Sequence, residues 1–135
     1  GVASVIDGDT IEIHGQRFRL HGIDAPESRQ LCHDRSGKAY RCGQQAALAL
    51  ADRIGRRIVT CVRRDVDRYK RIVAVCRLGG PDGEDLNRWM VLNGLAMAYR
   101  AYSKDYVDAE EDARAARRGI WQGKVQPPWE WRRHH

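Results

Sequence analysis

The stretch "TIEIHGQRFRLHGI", residues 10–23, alternates apolar and polar side chains on both sides of a His14-Gly15 pair. Alternation at period two is typical of a half-buried β-strand. A short pair that contains glycine, such as His14-Gly15, is typical of a tight turn between two such strands. The preceding "VASVI" (2–6) has the same alternation. The first quarter of the chain is therefore predicted to be a three-stranded meander.

The rest of the chain predicts helices interleaved with two further strands. Apolar residues recur at helical spacing before glycines that favour helix ends, and β-branched runs favour strands. The predicted helices are "GQQAALALADRIG" (43–55), "EDLNRWMVLNG" (84–94) and "SKDYVDAEEDARAARRG" (103–119), and the predicted strands are "RIVTCV" (57–62) and "RIVAVCRL" (71–78). Five short strands with a helix after the third predict an α+β fold built on a small Greek-key barrel of the OB type, with three helices.

Composition limits the class of protein. A chain of 135 residues with 42% hydrophobic and 31% charged residues is typical of one globular domain, here residues 1–135 with an irregular tail at 122–135. Its apolar stretches are far shorter than the roughly 20 residues that cross a bilayer, so no membrane association is expected. The net charge of +6 favours a polyanionic partner. We expect a monomer.

The four cysteines suggest two pairs. Cys61 and Cys76 lie symmetrically about "DRYK" (67–70) and would face each other in a regular hairpin, while Cys32 and Cys42 flank a polar loop whose closure would lower its entropy. Two disulfides predict an oxidising compartment, so that the protein would be secreted or periplasmic. Buried free thiols are the alternative, and neither pair has the spacing of a CxxC zinc or redox site.

Acidic residues stand where the predicted strands begin and end. In "VIDGDT" (5–10), Asp7 is expected in a turn and Asp9 at the start of the second strand, whereas Asp24 ends the third strand. The meander would bring Asp9 and Asp24 together at one rim of the barrel. Two crowded carboxylates repel each other, and a hard divalent cation is the usual remedy. Strand-capping and turn roles are the alternatives for these acids, with a water-mediated metal role as a lesser option for Asp7.

Arginines lie near the same rim. Arg19 and Arg17 point to one face of the third strand, one of them is expected to be an ordinary exposed residue, and the pattern does not say which. Arg71 begins the fifth strand directly after "DRYK". Ion pairs on the barrel wall are the alternative role for Arg19 and Arg71. The joint occurrence of these arginines with the acids favours a functional site.

Three segments together resemble a known family. "VIDGDT", "RFRLHGIDAPE" (17–27) and "DRYKRIVAV" (67–75) resemble the signature segments of the staphylococcal nuclease-like (thermonuclease) family, and "LNRWMVLNGLAMAY" and "ARRGIW" resemble its later helical segments. The resemblance covers about residues 2 to 121. It implies a five-stranded OB barrel with three helices. It also implies a calcium-dependent, sequence-nonspecific phosphodiesterase that cleaves DNA and RNA and leaves 3′-phosphate ends.

The resemblance also implies roles for individual residues. Asp9 and Asp24 correspond to the calcium carboxylates, and Ala25 stands where the family often has a threonine that lends a main-chain carbonyl to calcium. Glu27 corresponds to the general base. The two phosphate-binding arginines correspond to Arg19 and Arg71.

Further residues correspond to the family's substrate-binding turn. Arg68 and Tyr69 are expected to help hold a terminal phosphate, and Tyr99 or Tyr102 is expected to add another contact. Two other functions remain open at this point. One is a nucleic-acid-binding module of the same fold that does not cut, and the other is an OB domain for oligosaccharide or protein partners, which would not require this set of acids and arginines.

Overall fold

A computed structural model describes residues 1–135. The strands, in chain order, are β1 (Ala3–Asp7), β2 (Thr10–Ile13), β3 (Gln16–Leu20), β4 (Ile23–Asp24), β5 (Cys32–His33), β6 (Ala39–Tyr40), β7 (Val59–Val66), β8 (Ile72–Leu78) and β9 (Met97–Ala98). The helices are α1 (Cys42–Ile54), α2 (Leu86–Leu92), α3 (Val107–Ala115), a 3-10 turn (Gly119–Gln122) and α4 (Pro128–Arg133). None of these helices combines the length and the apolar character needed to cross a membrane.

The main sheet contains the five predicted strands, in the order β1-β2-β3-β8-β7. Strands β1, β2 and β3 form the predicted antiparallel meander. Its second turn is made by His14 and Gly15, whose φ angles of 51° and 79° place both in the left-handed region that such tight turns require. Strand β8 then pairs with β3 in parallel, with Arg19 opposite Val73. The predicted α+β class is confirmed.

The sheet is not closed into a barrel. Its edge strands β1 and β7 approach only at an isolated bridge between Val2 and Ile58, flanked by backbone hydrogen bonds between Gly1 and Val59. Helix α1 packs against β1 beside this opening. The architecture is consistent with the OB fold of the predicted family, but the ring of hydrogen-bonded strands is incomplete.

Both predicted disulfides are present. Cys61 lies directly opposite Cys76 in the β7–β8 hairpin, as its symmetry about "DRYK" predicts, and the two are bridged. Cys32 and Cys42 are bridged around a polar loop, which itself forms the short β5–β6 hairpin. No cysteine is free. The two disulfides suggest an oxidising, extracytoplasmic location.

Two predictions about the end of the chain are wrong. The tail was expected to be irregular, but Pro128 begins a fourth helix, because the fixed φ of proline suits the first helical position. Helix α3 also ends earlier than its pattern predicts, since Arg117 adopts a left-handed φ of 54° before the expected stop at Gly119.

The hydrophobic core has two parts. The larger cluster joins the sheet to the helices, with Ile11, Leu20, Leu50 and Met90 fully buried. A smaller cluster contains the Cys32–Cys42 bridge, Met97 and Ile120, and the side chain of Trp129 from α4 packs against it. This second cluster fixes α4 against the body of the protein near the rim that carries the predicted site.

Candidate active site

The turn in "VIDGDT" aims Asp9 into the protein. The carboxylate of Asp7 accepts a hydrogen bond from the backbone N–H of Asp9 at 3.1 Å, which closes the turn. A side chain at Gly8 would lie 2.8 Å from the Cβ atoms of both Ala25 and Ala46, so only glycine fits. Asp9 in turn accepts a hydrogen bond at 2.8 Å from the backbone N–H of Ala25. These contacts join the start of β2 to the segment that follows β4.

Asp24 is completely buried at the end of β4, where it pairs with Met97 of β9. Arg132 donates hydrogen bonds to both oxygens of its carboxylate, at 2.7 and 3.0 Å, and Arg19 donates one at 3.4 Å. No backbone N–H donates to this carboxylate. Asp24 is therefore satisfied by arginine side chains alone.

Arg19 joins the two aspartates. One terminal nitrogen lies 3.0 Å from Oδ2 of Asp9, in ion-pair contact without hydrogen-bond alignment, and the other contacts Asp24. The two carboxylates therefore converge at the rim, within the span of one guanidinium group. Arg17 is the exposed arginine that the sequence left undecided, and it pairs with Glu12 on the neighbouring strand.

The position of Glu27 is set by its main chain. A side chain at Gly43, the second residue of α1, would lie 1.8 Å from the carbonyl oxygen of Glu27, so the turn packs directly on the start of this helix. Gln30 accepts a hydrogen bond from the N–H of Glu27 at 3.2 Å and donates one at 2.7 Å to the carbonyl of Gln126 in the tail. The half-exposed carboxylate accepts a hydrogen bond at 2.7 Å from Arg132.

The β7–β8 turn holds Arg71. The carboxylate of Asp67 accepts hydrogen bonds from the backbone N–H groups of Tyr69 and Arg71 and, at 2.7 Å, from the Arg71 side chain. Although burial opposes ionisation, these hydrogen bonds hold the pKa of Asp67 below its ordinary value. The guanidinium groups of Arg68 and Arg71 lie 5.1 and 5.6 Å from the centre of the Tyr69 ring. Two cations therefore flank one exposed aromatic ring.

Aromatic side chains form a stack beside this turn. The ring centre of Tyr99 lies 5.7 Å from that of Tyr102 and 5.3 Å from that of Trp129 in α4. Tyr102 is largely exposed, whereas Tyr99 lies between the other two rings. The sequence proposes Tyr99 and Tyr102 as alternatives, and both lie in this one aromatic stack.

Most of the predicted site residues line one cleft of about 660 Å³. Asp24 and Ala25 are buried and do not line it. Arg132 also lines the cleft, although the sequence did not identify it as a site residue. The predicted residues in the cleft wall are Asp9, Arg19, Glu27, Arg68, Tyr69, Arg71, Tyr99 and Tyr102.

Negative charge is crowded at the base of this cleft. Burial, followed by the charge of Asp9, raises the pKa of Asp7 to about 7. Burial also opposes ionisation of Asp9, but Arg19 and neighbouring hydrogen-bond donors hold its pKa below the ordinary value. Burial raises the pKa of Asp24, while the hydrogen bonds that Arg132 donates to this carboxylate raise the pKa of Arg132. Because two nitrogens of Arg132 contact both oxygens of Asp24, the contact is that of an ion pair.

The donor chemistry fits a hard divalent cation with few protein ligands. Asp9 and Asp24 offer carboxylate oxygens, and burial, followed by the charge of Asp9, raises the pKa of the neighbouring Asp7. A buried carboxylate that lacks a backbone donor, such as Asp24, depends on whatever cation is near it. The side chains do not, however, form a group of three or more acidic, histidine or cysteine ligands placed around a metal position. Any cation would therefore keep several sites for carbonyl, water or substrate oxygens.

Arg132, Gln30 and Gly43 are the site residues that sequence reasoning missed. Arg132 lies 108 residues beyond Asp24, and its signal is the basic and aromatic run "WEWRR" (129–133), which has no fixed relation to the acids. Gly43 was identified as a helix residue. The close approach that it permits depends on tertiary packing.

The chain belongs to the family of staphylococcal nuclease homologues, whose family model matches residues 17–123. It is 37% identical over an alignment of 147 residues to a micrococcal nuclease of Shigella flexneri, covering 98% of this chain and 79% of that protein. It is 34% identical over 138 residues to an uncharacterized endonuclease of Escherichia coli, covering 97% of this chain and 82% of that one.

A further relative is not named as a nuclease. The chain is 43% identical over 126 residues to the succinoglycan biosynthesis protein ExoI of Rhizobium meliloti, covering 92% of this chain. The chain spans 65% of the length of that protein. Family membership and the nuclease-named relatives together support a nuclease that has nucleic acid as its substrate.

Proposed function

We propose that the protein is a calcium-dependent, sequence-nonspecific nuclease that hydrolyses phosphodiester bonds of DNA and RNA and leaves 3′-phosphate ends. The observation that carries this proposal is the convergence of Asp9, Arg19 and Glu27 on one cleft, with Arg71 in its wall and Asp24 buried against Arg19. A module that only binds nucleic acid has no need for crowded carboxylates beneath arginines.

The arginines supply positive charge where a phosphodiester needs it. Attack at phosphorus increases the negative charge on the non-bridging oxygens, so fixed cations nearby lower the barrier. Arg19 is held by the two aspartates and Arg71 by Asp67, so neither side chain has to be ordered when substrate arrives. Preorganised donors of this kind are typically worth about 10² to 10³-fold in rate.

Asp9, Asp24 and the carbonyl of Ala25 are the groups that would hold the calcium ion. When bound, calcium would neutralise charge on the phosphate and help orient water. Arg132 covers both oxygens of Asp24 in this structure and therefore carries the compensating charge at that carboxylate. Its side chain is 40% exposed, so it can turn outward into solvent.

Glu27 is the proposed general base. Its carboxylate is half-exposed in the cleft, and its backbone is fixed by Gly43 and Gln30. It is therefore placed to accept a proton from an attacking water molecule. General base catalysis of this kind typically contributes about 10² to 10⁴-fold.

We further propose that the protein acts outside the cytoplasm, either secreted or in a periplasm. The two disulfides support this location, since such bridges persist in oxidising compartments. Cell fractionation tests it. Recovery of the chain with reduced cysteines from the cytoplasm would contradict it.

The second candidate function is a nucleic-acid-binding module of the same family that does not cut. The contacts of Arg132 with Asp24 and Glu27 favour it, because one guanidinium neutralises a proposed metal ligand and the proposed base together.

A cleavage assay separates the two candidates. We expect purified protein to degrade single-stranded DNA and RNA with calcium, to stop when calcium is chelated, and to lose about 10² to 10⁴-fold in rate in Glu27→Gln while binding persists. Binding without any calcium-stimulated cleavage would support the module instead. Unchanged cleavage by Glu27→Gln would remove the role assigned to Glu27.

A further inference from the structure

A second, larger cleft of about 870 Å³ opens beside the candidate active site. It lies between β9, α3 and the tail that carries α4. Its wall combines basic and aromatic side chains, namely Arg68, Arg100, Arg114, Arg132, Arg133, Tyr99, Trp121 and Trp129. The wall residues that come from the tail, including Trp129 and Arg133, lie outside the segments that resemble the family.

The charge of this second cleft is strongly positive. Glu110 is the only acid among the residues of its wall, and it is nearly fully buried. The carboxylate of Glu110 already accepts hydrogen bonds from the backbone N–H of Ala98 at 2.7 Å and from Arg100 at 3.1 Å. In contrast, Arg68, Arg114 and Arg133 have no carboxylate partner within ion-pair distance, so they leave positive charge for an anionic ligand.

Aromatic rings accompany these cations. The guanidinium of Arg114 lies 4.9 Å from the centre of the Trp121 ring, and Trp129 stacks on Tyr99. Rings beside arginines bind single-stranded nucleic acid well, because bases stack on the rings while phosphates pair with the cations. A duplex would not offer its bases to such rings. The wall is therefore suited to an unpaired strand.

The second cleft is continuous with the first. Arg68, Tyr99 and Arg132 line both of them. A strand whose scissile phosphate lies near Arg19 can therefore run past Tyr99 into the second cleft without leaving the protein surface.

We propose that this second cleft binds the nucleotides that flank the scissile phosphate of a single-stranded nucleic acid. This inference rests on the proposed nuclease function. Arg114 and Arg133 contact phosphates of the flanking nucleotides, and the partly exposed rings of Trp121 and Trp129 contact their bases. The protein therefore prefers long unpaired strands to short ones, and the preference is encoded by α3 and α4.

Strand-length dependence tests this assignment. Fluorescence anisotropy in a chelating buffer, where no cleavage occurs, gives the affinity of labelled single strands of about four and about twelve nucleotides. The test variant is Arg114→Gln combined with Arg133→Gln. Its matched control is Arg35→Gln combined with Arg56→Gln, two exposed arginines outside both clefts that change the net charge equally.

We expect the test variant to bind the long strand about tenfold more weakly and the short strand within about twofold of the original protein. Its salt dependence for the long strand should fall by about 1.4 in slope, for two lost phosphate contacts. The control should change neither value. Equal losses for both strand lengths, equal losses in both variants, or no loss at all would each overturn the proposal.

Two further probes examine the class of ligand. A long strand without bases should bind more weakly than the normal strand, and equal binding would overturn the role of the rings. An acidic polysaccharide without bases should compete poorly at equal charge, and efficient competition that is lost in the test variant would assign the cleft to acidic polymers instead. Because all these measurements are made without cleavage, failure of the nuclease proposal leaves their outcome unaffected.

Discussion

Each of the two clefts has a buried acid beside the short β4–β9 pair, and the two acids are held in different ways. Glu110, at the second cleft, accepts a hydrogen bond from the backbone N–H of Ala98 in addition to one from Arg100. Asp24, which reaches the first cleft only through Arg19 and Arg132, is held by these two side chains alone. An acid that accepts a hydrogen bond from the backbone stabilises the fold. An acid that contacts only arginine side chains can exchange one of these cations for another cation. A metal-dependent site requires such an exchange.

The largest effect that follows from this difference concerns Arg19. Arg19→Lys keeps the charge but cannot contact both aspartates in the same way, because lysine lacks the planar fork of arginine. We expect cleavage to fall by about 10² to 10³-fold. The matched control is Arg17→Lys on the same strand, which is exposed and lies outside the cleft. Similar losses in both variants would contradict the role of Arg19.

The next effect concerns stability. Glu110→Ala leaves the N–H of Ala98 buried without an acceptor, so we expect it to lower the free energy of unfolding by about 1 to 3 kcal/mol. Asp24→Ala removes a buried charge and frees no backbone donor, Arg132 can turn into solvent, and Arg19 keeps its ion-pair contact with Asp9. We expect it to cost less than half as much. Urea unfolding of both variants measures the change in the free energy of unfolding. An equal or larger loss for Asp24→Ala would contradict the proposed difference between the two acids.

The parts of the fold that could be predicted from the sequence are those set by local hairpins. The His14-Gly15 turn and the symmetry of Cys61 and Cys76 each fix a register, because strands joined by a short turn have few ways to pair. Asp9 and Asp24 do lie close together, but the prediction that Asp24 ends the third strand is wrong, because β3 ends at Leu20 and Asp24 lies in β4, which pairs with β9.

The parts that could not be predicted rest on contacts between distant segments. Pairing between β4 and β9 involves two residues on each side, too few to give a periodic signal. Helix α4 has six residues and is placed by packing of Trp129, so the contact of Arg132 with Asp24 had no local signature. The early end of α3 depends on the left-handed conformation of Arg117, a residue type with no preference for it.

We propose that Asp24 exchanges an arginine for a metal ion, and a calorimetric calcium titration of Arg132→Ala measures whether it does. Because partly exposed ion pairs are worth up to about 1 kcal/mol, we predict that this variant binds calcium up to about fivefold more tightly than the original protein. Arg133→Ala, the control, removes the same charge from the same helix without touching Asp24 and should change the affinity less. Absence of calcium binding in every form, or weaker binding in Arg132→Ala, would show that Asp24 does not make this exchange.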